Sequence, residues 1–310
     1  MRGLLVVNPF ATTTSGATRE HIVATLKHNI DLDVVETTHS GHATELAHQA
    51  TTHGIDVVIG FGGDGTMNEI TNGVLQNGPQ PNGTSIAAIP GGHANVFIRN
   101  LGIPADPLQA ANYLVEQMDN AQPKLVGLGI LSTETTARWF LFNAGIGLDA
   151  AVLARMQERR TTGKPANDLA YAGIAVHELL THNVLAQPTL HITDQNNADV
   201  GTSQCALIIN LAPWTYLGNR PLDVASDATL ANALDVYAPH NLKPRAMGQF
   251  LRRIFTNQTG PAREAIHLKN QDFVSFSTNP SMWVQVDGEA LQLASQISVT
   301  HVRDVIRVWT

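Results

Sequence analysis

Short apolar runs alternate with helical stretches over the first third of the chain, and this alternation constrains the fold more than any other feature of the sequence. The predicted strands lie at residues 4–7, 32–37, 56–60 and 85–89, and the predicted helices between them at residues 19–29, 43–52 and 68–75. This order predicts a parallel sheet with helices on both faces. Ligands of such sheets bind at the carboxyl ends of the strands.

The composition of the chain changes near residues 120–123, after a further predicted helix at residues 104–118. Strand-like runs dominate beyond that point, at residues 124–131, 139–143, 189–193, 204–211, 233–238, 273–277, 282–286 and 297–300. We therefore expect two domains: a Rossmann-like α/β domain over residues 1–123 and a β-rich domain over residues 124–300. For residues 301–310, a return to the first domain is left open.

The composition excludes several classes of protein. Hydrophobic residues make up 43% of the 310 residues and charged residues 15%, which is typical of a compact chain. A net charge of -7 argues against an extended nucleic-acid surface, so we expect no nucleic-acid partner. Cys205 is the only cysteine, which excludes an intramolecular disulfide and a cysteine-rich metal site. No apolar run is long enough for a membrane span or signal peptide, so a cytoplasmic protein is expected.

Residues 59–69, "IGFGGDGTMNE", form a glycine-rich loop between a predicted strand and a predicted helix. Their spacing satisfies the G-x-G-x-x-G pattern of dinucleotide-binding domains. Two features contradict that interpretation: Asp64 lies inside the loop, and the next strand ends in "IPGG" rather than in the acid that would bind a ribose. A carboxylate beside phosphates suits phosphoryl transfer, where it binds a divalent cation or faces an incoming hydroxyl.

The segment "GGDGTMNE" at residues 62–69 resembles the nucleotide-binding signature of the diacylglycerol kinase catalytic domain family, which includes bacterial lipid kinases, sphingosine kinases and ceramide kinases. NAD kinases and phosphofructokinases share only its GGDG core. Further segments similar to the family follow one another along the chain: Asn8-Pro9, Ser15-Gly16, Thr37 with Gly41-His42-Ala43, "IPGGHANVFIRNLGIP" at 89–104, "FNAGIGLDA" at 142–150, "LDV" at 234–236 and "VDGE" at 286–289.

The resemblance implies an α/β nucleotide domain and a β-sandwich lipid domain, with ATP bound in the cleft between them. It implies that ATP contacts Asn8, Thr37, Gly62, Gly63, Asp64, Gly65, Thr66, Asn68 and His93. Asp64 would organise Mg²⁺ and the phosphates, and Glu289 would act as the general base. The expected activity is that of an ATP- and Mg²⁺-dependent lipid kinase acting on the hydroxyl of diacylglycerol or a related lipid.

The chain departs from the family pattern at three places. In the second domain the family's glycine-rich "GGG" is replaced by "YLGNRP" at residues 216–221. The usual G-T-x-N-D segment reads Gly92-His93-Ala94-Asn95-Val96. An imidazole can donate to a phosphate oxygen, as a threonine hydroxyl would, whereas the Val96 side chain offers no hydrogen-bonding group. In the second domain, Ala231 replaces an aspartate that binds a structural Mg²⁺ in some members, so we assign no metal-ligating residues.

These departures leave two alternative functions open. One is a nucleotide- or lipid-binding member of the family with little or no catalysis. The other is an NAD kinase, which residues 89–104 fit less well than they fit a lipid kinase.

Residues 241–257, "NLKPRAMGQFLRRIFTN", form a predicted basic amphipathic helix. Its predicted apolar face comprises Met247, Phe250, Leu251, Ile254 and Phe255, with Arg245, Arg252 and Arg253 elsewhere on the helix. The helix either lies on an anionic membrane or packs on its own domain. For a lipid kinase we expect a lipid substrate at the membrane surface, with the protein peripheral to its inner face, and a homodimer paired through a sheet edge is a further expectation.

Overall fold

The computed structural model describes residues 1–11, 16–162, 174, 189–224, 227–256 and 263–310. The described chain divides into two compact units: Met1–Leu128 with Arg303–Thr310, and Gly129–Val302. The predicted boundary after residue 123 lies immediately before β5, and the last eight residues group with the first unit. None of the helices in the described ranges is both long and apolar enough to cross a bilayer.

The first unit is built on parallel strands. Its strands are β1 (Arg2–Val7), β2 (Asp31–Glu36), β3 (Val57–Gly62) and β4 (Ser85–Pro90), in the spatial order β2-β1-β3-β4. Its helices are α1 (Gly16–Lys27), α2 (His42–Thr52), α3 (Asp64–Val74), α4 (Val96–Asn100) and α5 (Pro107–Asn120). The end of the chain adds a parallel neighbour to β4, since Val308 pairs with Ile86.

Burial follows from this arrangement. Strands β3 and β4 are buried along their whole length, and β1 is buried from its second residue, as expected when helices cover both faces of a parallel sheet. Helix α1 packs against α5, and α2 packs against α3. The predicted order of strands and helices is confirmed, although the short helix α4 was not predicted because it has barely one turn of sequence.

The second unit is rich in antiparallel strands. After β5 (Lys124–Ser132), which begins in the first unit, come β6 (Ala137–Phe140), β7 (Asn143–Ile146), α6 (Leu148–Thr161), β8 (Leu190–Thr193), β9 (Asp199–Ser203), β10 (Ala206–Ile209), β11 (Thr215–Leu217), β12 (Arg220–Leu222), β13 (Leu234–Pro239), α7 (Pro244–Thr256), β14 (Ala265–Gln271), β15 (Phe273–Val286) and β16 (Glu289–Val308). The strand order β14-β13-β10-β7-β15-β16 is antiparallel throughout. A core of aliphatic and aromatic side chains from these strands is buried beneath them. The predicted α/β and strand-rich fold class is thus confirmed.

Candidate functional site: a glycine turn and its two carboxylate clamps

The turn from β3 into α3 leaves the first amides of the helix without intramolecular acceptors. Gly63 precedes the helix in an extended conformation, with no side chain to cap it. The first backbone N–H groups of any α-helix lack partners within the helix. Among the described residues, no acceptor contacts the N–H groups of Asp64, Gly65 and Thr66. These three donors, together with the positive end of the helix dipole, form a ready anion-binding site.

The loop after β4 contacts this turn backbone to backbone. Gly91 N–H donates to the Gly62 carbonyl at 2.7 Å. A Cβ atom added to Gly92 would come within 2.6 Å of Gly63 Cα, so only glycine allows the two loops to approach this closely. Asn95 completes the loop: its side chain accepts from Gly92 N–H at 3.1 Å and donates to the Gly92 carbonyl at 2.7 Å.

Asp64 clamps the loop after β4. Its two carboxylate oxygens accept the backbone N–H groups of Val96 at 2.9 Å and Phe97 at 3.0 Å, at the start of α4. Burial raises the pKa of Asp64, and this effect exceeds the lowering by the two N–H groups and by Arg99. The carboxylate that we predicted to organise Mg²⁺ and phosphates is therefore already bonded within the protein. Val96, which offers no side-chain partner, contributes its backbone instead.

Glu69 holds a third loop, the one between β2 and α2. Its carboxylate accepts Gly41 N–H at 2.9 Å and Ala43 N–H at 3.2 Å, while Thr44 Oγ1 donates to the Glu69 carbonyl at 3.1 Å. These bonds tie α3 to the start of α2. Glu69 is part of the signature at residues 62–69, but the sequence predicts no role for it. The amides that Glu69 binds lie 28 and 26 residues away in the chain, so no local pattern predicted this role.

The remaining predicted residues of the first unit lie at the same edge of the sheet, since parallel strands end together there. Asn8 Nδ2 donates to Thr66 Oγ1 at 3.2 Å, which ties the end of β1 to α3. Thr37 is 8% exposed, and its N–H donates to the Val7 carbonyl at 2.8 Å. Asn68 is 1% exposed, and its side-chain oxygen accepts from Asn72. His93 is exposed on the loop after β4. Ser15 falls outside the described residues.

Glu289 follows a tight turn in the second unit. Asp287 and Gly288 both have positive φ, at 47° and 82°, and join paired residues Val286 and Glu289, as in a two-residue hairpin with a primed turn. The buried Asp287 carboxylate accepts the N–H groups of Leu141 at 2.7 Å, Phe142 at 3.0 Å and Asn143 at 3.2 Å. Asp287 therefore holds the turn in place and leaves Glu289 to face outward.

The Glu289 side chain is partly exposed and has a cationic neighbour. Its exposed fraction is 36%, and Arg138 Nη2 lies 3.4 Å from one carboxylate oxygen. A polar cluster supports the turn from below: Gln285 Nε2 donates to Asn143 Oδ1 at 3.1 Å and to Asp149 at 2.9 Å, and Gln285 Oε1 accepts Gly288 N–H at 3.0 Å. The sequence did not predict that Arg138 or this cluster would support Glu289, because residues far apart in the chain give no local pattern.

The donor set for a metal ion is poor in the described residues. They contain no group of three or more His, Cys, Asp or Glu side chains placed to hold a metal ion. Asp64 is engaged with two amides, and in the "LDV" segment Asp235 accepts the N–H groups of Asp227 and Asn270. The side chains in the described ranges thus do not form a metal site by themselves.

The fold and the glycine turn together define the first unit as an α/β domain with a helix N-terminus at the carboxyl edge of its parallel sheet, where domains of this class place their ligands. Comparison with known proteins agrees. Residues 2–123 match the family model of the diacylglycerol kinase catalytic domain.

Individual relatives extend the likeness along the chain. A Staphylococcus carnosus protein named “Putative lipid kinase” is 25% identical over 256 residues, which are 82% of this chain and 76% of that protein. The Bacillus subtilis diacylglycerol kinase is 37% identical over 112 residues, only 36% of this chain and 33% of its own length. The crystal structure of a diacylglycerol kinase from Bacillus anthracis shares the fold, with a TM-score of 0.71 at 21% identity over 99% of this chain and 96% of that chain.

Proposed function

We propose that the protein is a lipid kinase that transfers the γ-phosphate of ATP to the hydroxyl of diacylglycerol or a related lipid. The observation that carries the proposal is the turn at Gly62–Thr66. It has the family's signature sequence, and it presents the N–H groups of Asp64, Gly65 and Thr66 without acceptors among the described residues. The relatives named as diacylglycerol or lipid kinases support the choice of acceptor.

The backbone of the turn suits a triphosphate. Phosphoryl transfer needs positioning and neutralisation of charge more than covalent help from the protein. A row of amides at a helix N-terminus provides both without a lysine, which this turn lacks. Gly65 keeps the approach open, since a Cβ built there meets no atom within 4 Å.

Glu289 is the general base of the proposed reaction. Its carboxylate accepts the proton of the lipid hydroxyl while that oxygen attacks the γ-phosphorus, and the bond from this phosphorus to the bridging oxygen breaks to release ADP. The rigid Asp287 turn and Arg138 fix the direction in which Glu289 points. These features support the role because a base must be held in place yet remain accessible to substrate.

Mg²⁺ remains a prediction. The described side chains do not build a dedicated site, so the oxygens of the triphosphate would have to supply most of the ligands, as they commonly do for this ion.

Two glycine substitutions test whether the turn at Gly62–Thr66, here called the phosphate cradle, binds the phosphates of ATP. Gly65→Ala adds a methyl group in open space, so the protein should fold normally but bind ATP at least about tenfold more weakly, because the methyl group covers the approach to the amides. Gly92→Ala is the matched control for structure: its methyl group meets Gly63 Cα, so stability should fall by about 1–3 kcal/mol. ATP affinity is measured by calorimetry and stability by urea unfolding.

Transfer itself is measured with ATP labelled in the γ-phosphate and diacylglycerol dispersed in detergent. Label in the lipid, lost in Glu289→Gln, supports the proposal. Tight ATP binding without transfer to any lipid would favour a binding protein instead, and label in NAD would identify an NAD kinase. Unchanged ATP affinity in Gly65→Ala would refute the cradle.

A further inference from the structure

Three large apolar side chains are exposed on one part of the second unit. Leu251 and Phe255 on α7 are 45% and 39% exposed, and Leu217 on the β11–β12 hairpin is 50% exposed. The hairpin and the helix are in contact, because the Arg220 guanidinium lies 5.6 Å from the Phe255 ring centroid and donates to the Phe255 carbonyl. Exposed apolar groups brought together in this way commonly mark an interaction site.

The other side of α7 accounts for the packing of the helix on its own domain. Ile254 is 3% exposed and joins a cluster that includes Tyr237, and Phe250 packs against the same cluster. Arg253 is also buried, where its Nε donates to Glu264 at 2.8 Å. The prediction of a single apolar face was therefore wrong in detail. Ile254 and Phe250 anchor the helix, and Leu251 and Phe255 are left outside.

Positive charge flanks the exposed leucine and phenylalanine. At about 100° per residue, Arg252 and Arg245 follow Leu251 and Phe255 around the helix, and both are exposed. Arg220 adds a third exposed cation from the hairpin. Residues 213–222 and 241–256 contain no Asp or Glu, although the whole chain carries a net charge of -7. The charge of this surface is thus opposite in sign to that of the chain.

We propose that this α7 surface, formed by Leu217, Leu251, Phe255, Arg220, Arg245 and Arg252, binds an anionic lipid bilayer. An interfacial helix places its apolar side chains among the acyl chains and its arginines beside anionic headgroups. A bilayer matches both parts of the surface at once. The surface exposes three large apolar side chains beside its arginines, which suits shallow insertion better than a dry protein interface.

The α7 surface is connected by hydrogen bonds to the turn that carries Glu289. Asn143 Nδ2 donates to the Trp214 carbonyl at 3.0 Å, immediately before the hairpin, and Asn143 N–H donates to Asp287 at 3.2 Å. Binding of the surface to a bilayer would hold the Glu289 turn close to the lipids. This step rests on the proposed lipid kinase activity, whereas bilayer binding does not.

Vesicle cosedimentation tests the surface independently of catalysis. The probe is a vesicle of phosphatidylglycerol and phosphatidylcholine, compared with phosphatidylcholine alone. Each arginine near an anionic surface contributes about 1 kcal/mol, or about fivefold in partitioning. Arg245→Gln with Arg252→Gln should therefore weaken binding about 30-fold, and 0.5 M salt should weaken binding of the parent. Lys27→Gln with Lys124→Gln, two exposed charges of the first unit, should leave it unchanged.

The apolar side chains are tested with Leu217→Ser, Leu251→Ser and Phe255→Ser combined, against Leu293→Ser, which alters a 54% exposed leucine on β16. The triple variant should keep its circular dichroism spectrum and lose at least tenfold in vesicle affinity. It should also lose activity on diacylglycerol in vesicles but not on diacylglycerol in detergent micelles. If the parent phosphorylates no lipid but binds vesicles through this surface, the proposed function fails and the docking surface stands.

Three results would overturn the proposal. The first is that the parent protein does not bind anionic vesicles. The second is that the triple variant binds them with the same affinity as the parent. The third is a parent dimer that the triple variant dissociates, since the surface would then be covered by a second copy of the chain.

Discussion

Replacement of Asp64 by asparagine distinguishes two roles of this carboxylate: a hydrogen-bond acceptor that holds the start of α4, and a metal ligand. Asparagine keeps one acceptor oxygen but turns an NH₂ group toward the second backbone N–H, so either Val96 or Phe97 loses its partner. A buried N–H left without an acceptor costs about 1–3 kcal/mol, and the lost charge weakens the remaining bond. Relief of the burial cost that raises the pKa of Asp64 offsets part of this. We expect Asp64→Asn to lower the free energy of unfolding by about 2 kcal/mol.

Two measurements locate that loss. Urea unfolding followed by circular dichroism gives the change in global stability. Hydrogen exchange resolved at single residues gives the local change: the Val96 and Phe97 amides should exchange faster by about 30-fold, the factor that about 2 kcal/mol implies. Asp106→Asn is the control: a single Asp106 oxygen accepts the N–H groups of Leu108 and Gln109 at the start of α5, and asparagine caps a helix about as well as aspartate, so stability and Val96 exchange should change little.

A different outcome would refute the clamp. If Asp64→Asn unfolds at the parent's urea midpoint and exchanges Val96 and Phe97 at the parent's rates, but loses ATP affinity, the carboxylate acts on the nucleotide or its metal ion. The family-based role for Asp64 would then be correct.

Three further predictions concern the second unit. Burial raises the pKa of the Cys205 thiol to about 12, so a thiol reagent at pH 8 should label the unfolded protein and spare the folded one. Arg253→Met should lower stability by about 3 kcal/mol in urea unfolding, because it leaves the Glu264 carboxylate unpaired. Burial raises the pKa of Glu264, but the hydrogen bonds from Arg253, from its own backbone N–H and from Tyr237, together with the Arg253 charge, outweigh burial and hold this pKa below its ordinary value. The ion pair therefore stabilises the fold above the ordinary pKa of a glutamate, and this stabilisation is lost as the pH falls through the lowered pKa. Arg253→Met with Glu264→Gln should abolish this pH dependence. Arg138 positions the Glu289 carboxylate, so Arg138→Met should lower kcat with little change in the KM for ATP, whereas Arg138→Lys should retain most of the rate. Equal losses of kcat in both variants would contradict this positioning role.

The architecture was predictable where each element carries its own pattern. Strands β1, β3 and β4 are continuous apolar runs because helices cover both faces of the sheet, and that pattern is visible without a structure. The start of α3 was predicted four residues late, at residue 68 instead of Asp64. The glycines that open this helix have low helix propensity, and the backbone conformation of Gly63, not the propensity of its neighbours, decides where the helix begins.

For the candidate site, the sequence predicted only which residues lie near one another at one edge of the sheet. The chain order of the motifs brought Asn8, Thr37, Gly62 and His93 to one edge, because parallel strands end together. The partners of the charged residues were not predictable. Asp64 and Val96 are 32 residues apart, and Glu69 and Gly41 are 28 apart. Nothing in a linear pattern distinguishes a carboxylate that binds a distant amide from one that binds a ligand.

The positions of these two carboxylates explain how the proposed phosphate-binding turn tolerates acids. Asp64 directs both oxygens to the start of α4, and Glu69 directs both of its oxygens to the start of α2. Each charge is therefore partly neutralised by amides of another helix. Repulsion of an incoming phosphate is weakened accordingly, while the first amides of α3 stay available to it. In this arrangement the two acids hold the three loops together, and the glycines leave room for the proposed phosphate.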